Sequence, residues 1–182
     1  MSVAPGALGR ALPRTIALIR GVGGATALKM PALREVLASA GLGEVGARQV
    51  AGNVVLDDAG RSPVEIAGLV REAVGRAFGF DLPVVVRMHT ELADAHARNP
   101  FASTAEGRRG QTVLLATAPS SPLAVPDGTP EEAALDGREV FVRYPEGIGG
   151  SKFQAAWFEK RLGVVGTARN ANTVAKLIAM SA

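Results

Sequence analysis

The sequence predicts an α+β fold: two tandem ferredoxin-like (βαββαβ) subdomains with antiparallel sheets, plus a C-terminal helix. Three observations lead there. Short β-branched runs alternate with stretches of helical apolar spacing, in the order strand, helix, two strands, helix, strand. After a polar loop at 101–110 that order recurs loosely, without a residue-level repeat. The chain of 182 residues, 47% hydrophobic and 20% charged, is also long and apolar enough to build cores without metal or disulfide staples. The reading divides the chain into a flexible tail at 1–12, a first subdomain at 13–100, and a second at 101–182 that ends in the extra helix.

In the first half, Thr15-Ile16-Ala17-Leu18-Ile19-Arg20 is a short apolar run closed by glycines, the pattern of a buried strand. Gly21-Val22-Gly23-Gly24 forms the loop after it. Pro31 opens a helix in its first turn, where a missing N–H costs nothing. Leu33, Val36, Leu37 and Ala40 share one face of that helix, and Gly41 stops it. Residues 45–57 read as a hairpin of two short β pieces around Ala51-Gly52-Asn53, with Asn53-Val54-Val55-Leu56 the clearer strand. Ser62-Pro63-Val64-Glu65 is a capping box, and Ile66, Leu69, Val70, Ala73, Val74 and Ala77 hold helical spacing up to Gly79. A β-branched strand follows at 82–88. A short helix at 91–98 ends before Asn99-Pro100.

In the second half, Thr112-Val113-Leu114-Leu115-Ala116 reads as a strand and 119–127 as a proline-rich loop. Thr129-Pro130-Glu131-Glu132 is the signature of a second capping box and predicts a short helix. Asp136-Gly137 is a turn, and Glu139 to Tyr144 alternates as a half-buried strand should. Ser151 with Gln154 predicts a third capping box, opening a helix over 151–162 in which Phe153, Ala156 and Trp157 share a face. Val164-Val165-Gly166-Thr167 is the last strand, and Asn172 or Thr173 caps the last helix.

Composition excludes several chemistries. No cysteine is present, so disulfides, thiolate metal sites and cysteine nucleophiles are out, which fits a cytoplasmic location. The net charge of +3 is mild and spread along the chain, and aromatics are 4%. That is not the dense basic stripe with exposed aromatics of many nucleic-acid binders. Residues 1–13 lack the apolar run of a signal peptide, and no apolar run approaches the ~20 residues of a membrane span. His89 and His96 are two helical turns apart, too far to share a metal. No metal site and no carboxylate dyad is predicted. The Gly-x-Ser-x-Gly elbow fails because residue 153 is Phe.

Three constellations are candidates for a ligand. Gly21, Gly23 and Gly24 can offer backbone N–H groups to an anion, with Arg20 and Lys29 on either side. The loop is neither a P-loop nor a dinucleotide fingerprint. The bland reading is a tight strand-to-helix turn that needs glycine dihedrals. Ser151-Lys152 places a cation at a predicted helix start, where the macrodipole opposes it. Capping accounts for the serine alone. Arg169-Asn170 precedes the last helix. Asn170 or Asn172 serves as a cap, while Arg169 either forks onto a phosphate or carboxylate or pairs internally with an acid such as Glu146.

Arg20-Gly21, Gly52-Asn53-Val54-Val55, Ser151-Lys152 and Thr167-Ala168-Arg169-Asn170 together carry a family likeness. So do Asn99-Pro100-Phe101, Tyr144-Pro145-Glu146-Gly147 and Lys160-Arg161-Leu162-Gly163. In these motifs, from about Thr15 to the end, the chain resembles the bacterial DUF1697 (domain of unknown function) family. The resemblance implies a two-part α+β protein of cytoplasmic type and brings no reaction with it. The family's Ile-Asn pair after Arg-Gly is missing here, its Gln-Ser positions are Val50 and Ala51, and its aromatic between two asparagines is Ala171.

The expectation is a non-enzymatic module that binds a phosphate-containing anion, a nucleotide or nucleic acid, through Arg20, Gly21, Gly23, Gly24, Lys29, Asn53, Ser151, Lys152, Arg169 and Asn170. The alternatives are a protein–protein interaction scaffold and an enzyme acting on a phosphorylated metabolite. No cofactor and no membrane are expected, and the chain is read as a monomer or homodimer.

Overall fold

The computed structural model describes residues 14–42, 52–103 and 109–182. The predicted tail at 1–12 and the first β piece of the predicted hairpin, at 45–51, lie outside the described residues.

The first apolar run becomes strand β1 (Arg14–Ile19). Thr15 to Ile19 are all buried, so both faces of the strand must be covered. Among the described residues it is the central strand of three in an antiparallel sheet, between β2 (Asn53–Asp57) and β3 (Val84–Met88). Successive side chains point to opposite faces, which splits the strands between two cores. Ala17, Ile19, Val54, Leu56 and Val86 pack under α1 (Met30–Ser39) and α2 (Pro63–Phe78). Ile16, Leu18, Val55 and Val85 face the other way. They meet Leu92 of α3 (His89–Ala97) and Val174 and Leu177 of the final helix.

Both ends of α2 follow from sequence. Ser62 accepts from the Glu65 amide, Glu65 accepts from the Ser62 amide at 2.7 Å, and Gly79 closes the helix at φ 75°. The Ser62 hydrogen bonds hold the Glu65 carboxyl below its ordinary pKa.

The second sheet has four antiparallel strands in the order β5-β6-β4-β7: β4 (Gly110–Leu115), β5 (Glu132–Asp136), β6 (Glu139–Arg143) and β7 (Gly166–Asn170). On one face Val113, Leu115, Val140 and Val142 pack with Tyr144, Phe153 and the Phe158 and Leu162 side chains of α4 (Ala155–Leu162). On the other, Leu114 joins the core closed by α5 (Ala171–Ser181). The described residues thus form a mixed α+β fold of two antiparallel sheets and five α-helices, as the fold class predicts at that level.

Several local expectations are corrected. No helix follows Thr129. Residues 132–136 pair with β6 instead, placing Ala133 opposite Val142 and Leu135 opposite Val140, with Glu132 ion-paired to Arg143 at 2.5 Å. A helix cut off by the turn at Gly137 would have been too short to repay its nucleation, and pairing on a sheet edge wins. The place of a helix there is taken by an irregular segment that lays Leu123 and Val125 on the core. Strand β6 is buried from Glu139 through Val142 rather than half-buried, because both its faces are covered.

The predicted 151–162 helix starts at Ala155, with Gln154 at the N-cap position and no Ser151–Gln154 box. Phe153 stays outside the helix because its ring is buried and its carbonyl accepts from the Tyr144 hydroxyl at 2.6 Å. The cap of α5 is Asn170, accepting from the Thr173 amide at 2.8 Å, rather than Asn172 or Thr173.

The sheets are joined by a buried guanidinium. Arg87 of β3 is 0% exposed and donates to Glu139 at 2.9 Å, to the Leu115 carbonyl at 2.7 Å and to the Arg138 carbonyl at 3.2 Å. Burial pushes its pKa down, and the Glu139 charge opposes that shift. Arg138 pairs with Glu91 of α3 beside it at 2.7 Å.

Candidate functional site

The chain leaves β1 at Arg20 and enters the glycine loop. Gly21 and Gly24 lie at φ 74° and 53°, which L side chains rarely adopt, and a Cβ at Gly21, Gly23 or Gly24 would meet nothing within 4 Å. The loop is folded from inside. Thr26 Oγ1 faces the carbonyls of Gly21 and, at 2.9 Å, Gly23, and the Thr26 and Ala27 amides donate to the carbonyls of Gly23 and Gly24. Among the described residues no acceptor meets the amides of Gly21, Gly23 or Gly24. Lys29 is exposed at the N-cap position of α1.

Beneath the loop, the start of β2 is pressed close. The Ile19 amide donates to the Gly52 carbonyl at 2.7 Å. A Cβ on Gly52, at φ 78°, would sit 2.7 Å from the Ile19 carbonyl and 2.9 Å from Val22. This close approach explains the Gly-Asn turn before Val54.

Two arginines meet at this junction. Arg20 donates through Nη2 to Glu159 of α4 at 2.5 Å, and the other Glu159 oxygen accepts from the Gly166 amide at 2.8 Å. The Arg20 side chain is 38% exposed and Glu159 only 14%. Arg169 reaches across from β7. It donates to Asn53 at 2.6 Å, to Thr167 Oγ1 at 2.6 Å, to the Ala168 carbonyl at 2.8 Å and to the Ile19 carbonyl at 3.1 Å. Neither Glu146 nor any other described carboxylate pairs with it, so the predicted internal acid is replaced by neutral acceptors. Burial without a counter-charge pushes Arg169 down to about 10, still cationic at neutral pH.

The ten predicted residues therefore fall into groups. Arg20, Gly21, Gly23 and Gly24 stand in the loop after β1, Lys29 is the N-cap residue of α1, and Asn53 and Arg169 are bonded to each other at the base of the loop. Asn170 is occupied as a cap. Ser151 accepts from the Phe153 amide at 3.1 Å. Lys152 is exposed and lies outside α4, so the argument from an unfavourable helix dipole does not apply to it. Glu159, which joins Arg20 to β7, was missed. It lies mid-helix, 139 residues from its partner, and no local spacing announces such a pair.

A groove of about 500 Å³ lies elsewhere, between α1 and α2, floored by Val36, Ala40, Leu69 and Ala73, and none of the predicted residues lines it. Among the described residues, no helix is long and apolar enough to cross a membrane.

No curated protein matches the chain. A solved structure does: that of a conserved bacterial protein, SP0830, from Streptococcus pneumoniae. It is similar at a TM-score of 0.68 over 94% of this chain and 99% of that one. At 18% identity the likeness is one of fold. The family model described as "Protein of unknown function (DUF1697)" matches residues 12–141, a span that holds Arg20, the glycine loop, Lys29 and Asn53 and stops before Ser151 and Arg169. The chain belongs to the DUF1697 family.

Proposed function

We propose that the protein is a non-enzymatic module that binds a phosphate-containing anion on the Gly21–Gly24 edge, with Arg20 and Lys29 supplying charge. One observation carries this reading. The loop turns its carbonyls onto Thr26 and leaves the Gly21, Gly23 and Gly24 amides without a described acceptor, beside open space, the half-buried Arg20 and the exposed Lys29. Successive backbone N–H groups in glycine turns can hold anions. Asn53 and Arg169 take the role of a support: their mutual bond, together with the Arg169 bond to the Ile19 carbonyl, fixes the base of the loop. The non-enzymatic reading rests on the same accounting. The guanidinium group at the base of the loop, Arg169, is spent on protein acceptors. The cysteine-free chain fits a cytoplasmic setting.

The test is a thermal-shift screen with nucleotides, sugar phosphates and short oligonucleotides at low and high salt. A ligand at a hundred times its Kd stabilises by about 2.7 kcal/mol, on the order of 5–10 °C for a chain of this size. The shift should vanish in Arg20→Ala/Lys29→Ala. No shift with any of these in a folded protein refutes the reading.

The protein–protein scaffold is favoured by one feature, the open edge of β5, an outermost strand whose residues are exposed or half-buried. The same strand orders also support one plan behind both sheets. Each has a central strand, β1 or β4, flanked by two antiparallel partners, as a βαββαβ unit requires. We take the halves at 13–100 and 101–182 as two such units, the second having lost its first helix.

A further inference from the structure

We propose that Glu159 is an internal competitor for the anion site, an autoinhibitory carboxylate that holds Arg20 until a ligand displaces it. The inference rests on the glycine-loop reading and adds its regulation. Arg20 is the loop's nearest fixed cation, and in the described structure its partner is Glu159, at 2.5 Å. Among the described residues only its Nη2 is engaged. A phosphate approaching the remaining N–H edge of the fork meets a carboxylate of like charge, and bidentate capture of the phosphate requires Glu159 to let go.

Letting go has a second consequence. Glu159 also accepts from the Gly166 amide at 2.8 Å, tying α4 to the start of β7. Strand β7 carries Arg169, which is bonded to Asn53 and Ile19 under the loop. Occupation of the loop is thereby linked to the seat of α4 on the second sheet.

Glu159→Gln separates the charge from the scaffold, since the amide oxygen can still accept from Gly166. Isothermal titration with inorganic pyrophosphate should show this variant binding about two- to fivefold tighter than wild type, the range of a partly exposed ion pair. Arg20→Ala should bind more weakly than either. In wild type, pyrophosphate should also move the Gly166 amide resonance, which no ligand contact touches, together with those of Gly21, Gly23 and Gly24. This second readout decides the matter if the Gln variant fails to fold. Loop amides that shift while Gly166 stays still, or equal affinity of wild type and Glu159→Gln, overturns the competitor role and leaves the loop reading intact. No binding to wild type or to Glu159→Gln overturns both.

Discussion

Replacing Arg87 by Met should be among the most damaging substitutions in the molecule. The change leaves the Glu139 carboxylate, 6% exposed, without its cation and takes a donor from the Leu115 carbonyl. Breaking a buried pair from one side costs about 3–5 kcal/mol, because a charge stays in a low-dielectric site uncompensated. Against a total stability of about 5–15 kcal/mol, that is a large fraction. The double variant Arg87→Met/Glu139→Leu removes both charges and should recover most of the loss, ending within about 2 kcal/mol of wild type. Urea melts followed by far-UV circular dichroism, and by the fluorescence of the single tryptophan, Trp157 on α4, measure both. Because Arg87 ties one sheet to the other, the two probes should give one coincident transition in wild type. A single variant within about 1 kcal/mol of wild type would refute the claim that this pair clamps the sheets.

Other expectations follow from single contacts. Leu177→Ala on α5 should cost about 2–5 kcal/mol in the same melts, since Leu177 fills the core shared by both sheets. Gly52→Ala should cost about 2–4 kcal/mol, combining left-handed strain with a clash against the Ile19 carbonyl. Gly60→Ala, at the same φ of 78° in open space, should cost only about 1 kcal/mol. Tyr144 is pushed up to about 12, first by burial. Its folded form therefore keeps a proton that the unfolded chain gives up near pH 10. Stability should be full below about pH 10 and fall by at most about 2–3 kcal/mol from there to pH 12. Tyr144→Phe, compared over the same pH range, should lack that component, and an identical decline in both would count against it.

Legibility of the fold depended on whether local chemistry and tertiary demand agreed. At Ser62 and Glu65 they did, and the capping box, the helix and its Gly79 stop all stand as read. At Thr129 they did not. The Thr-Pro-Glu-Glu motif is a helix start in isolation, but the pairing of Ala133 and Leu135 with β6 is a long-range gain that no window of residues displays. Ser151 misled for a related reason, because the burial of Phe153 set the helix start three residues later than the cap signal suggested. At the candidate site, the glycine loop was legible because positive φ leaves a mark in sequence. The partners of Arg20 and Arg169 were not, since Glu159 and Asn53 reach them from other elements, across 139 and 116 residues.

The place of α5 has a consequence for how the chain is made. Every described strand of the first sheet is synthesised long before α5, the helix that completes the cover of its second face. Arg14 at the start of β1 bonds the Met180 carbonyl, 166 residues later. Until that helix emerges and docks, Ile16, Leu18, Val55 and Val85 have only Leu92 of α3 from their own half against them, and the nascent first half is a sticky intermediate. Contacts of such long sequence separation slow folding and lengthen the exposure. Ribosome-bound chains halted before 171 should therefore need chaperone protection that the full chain, once released, no longer requires.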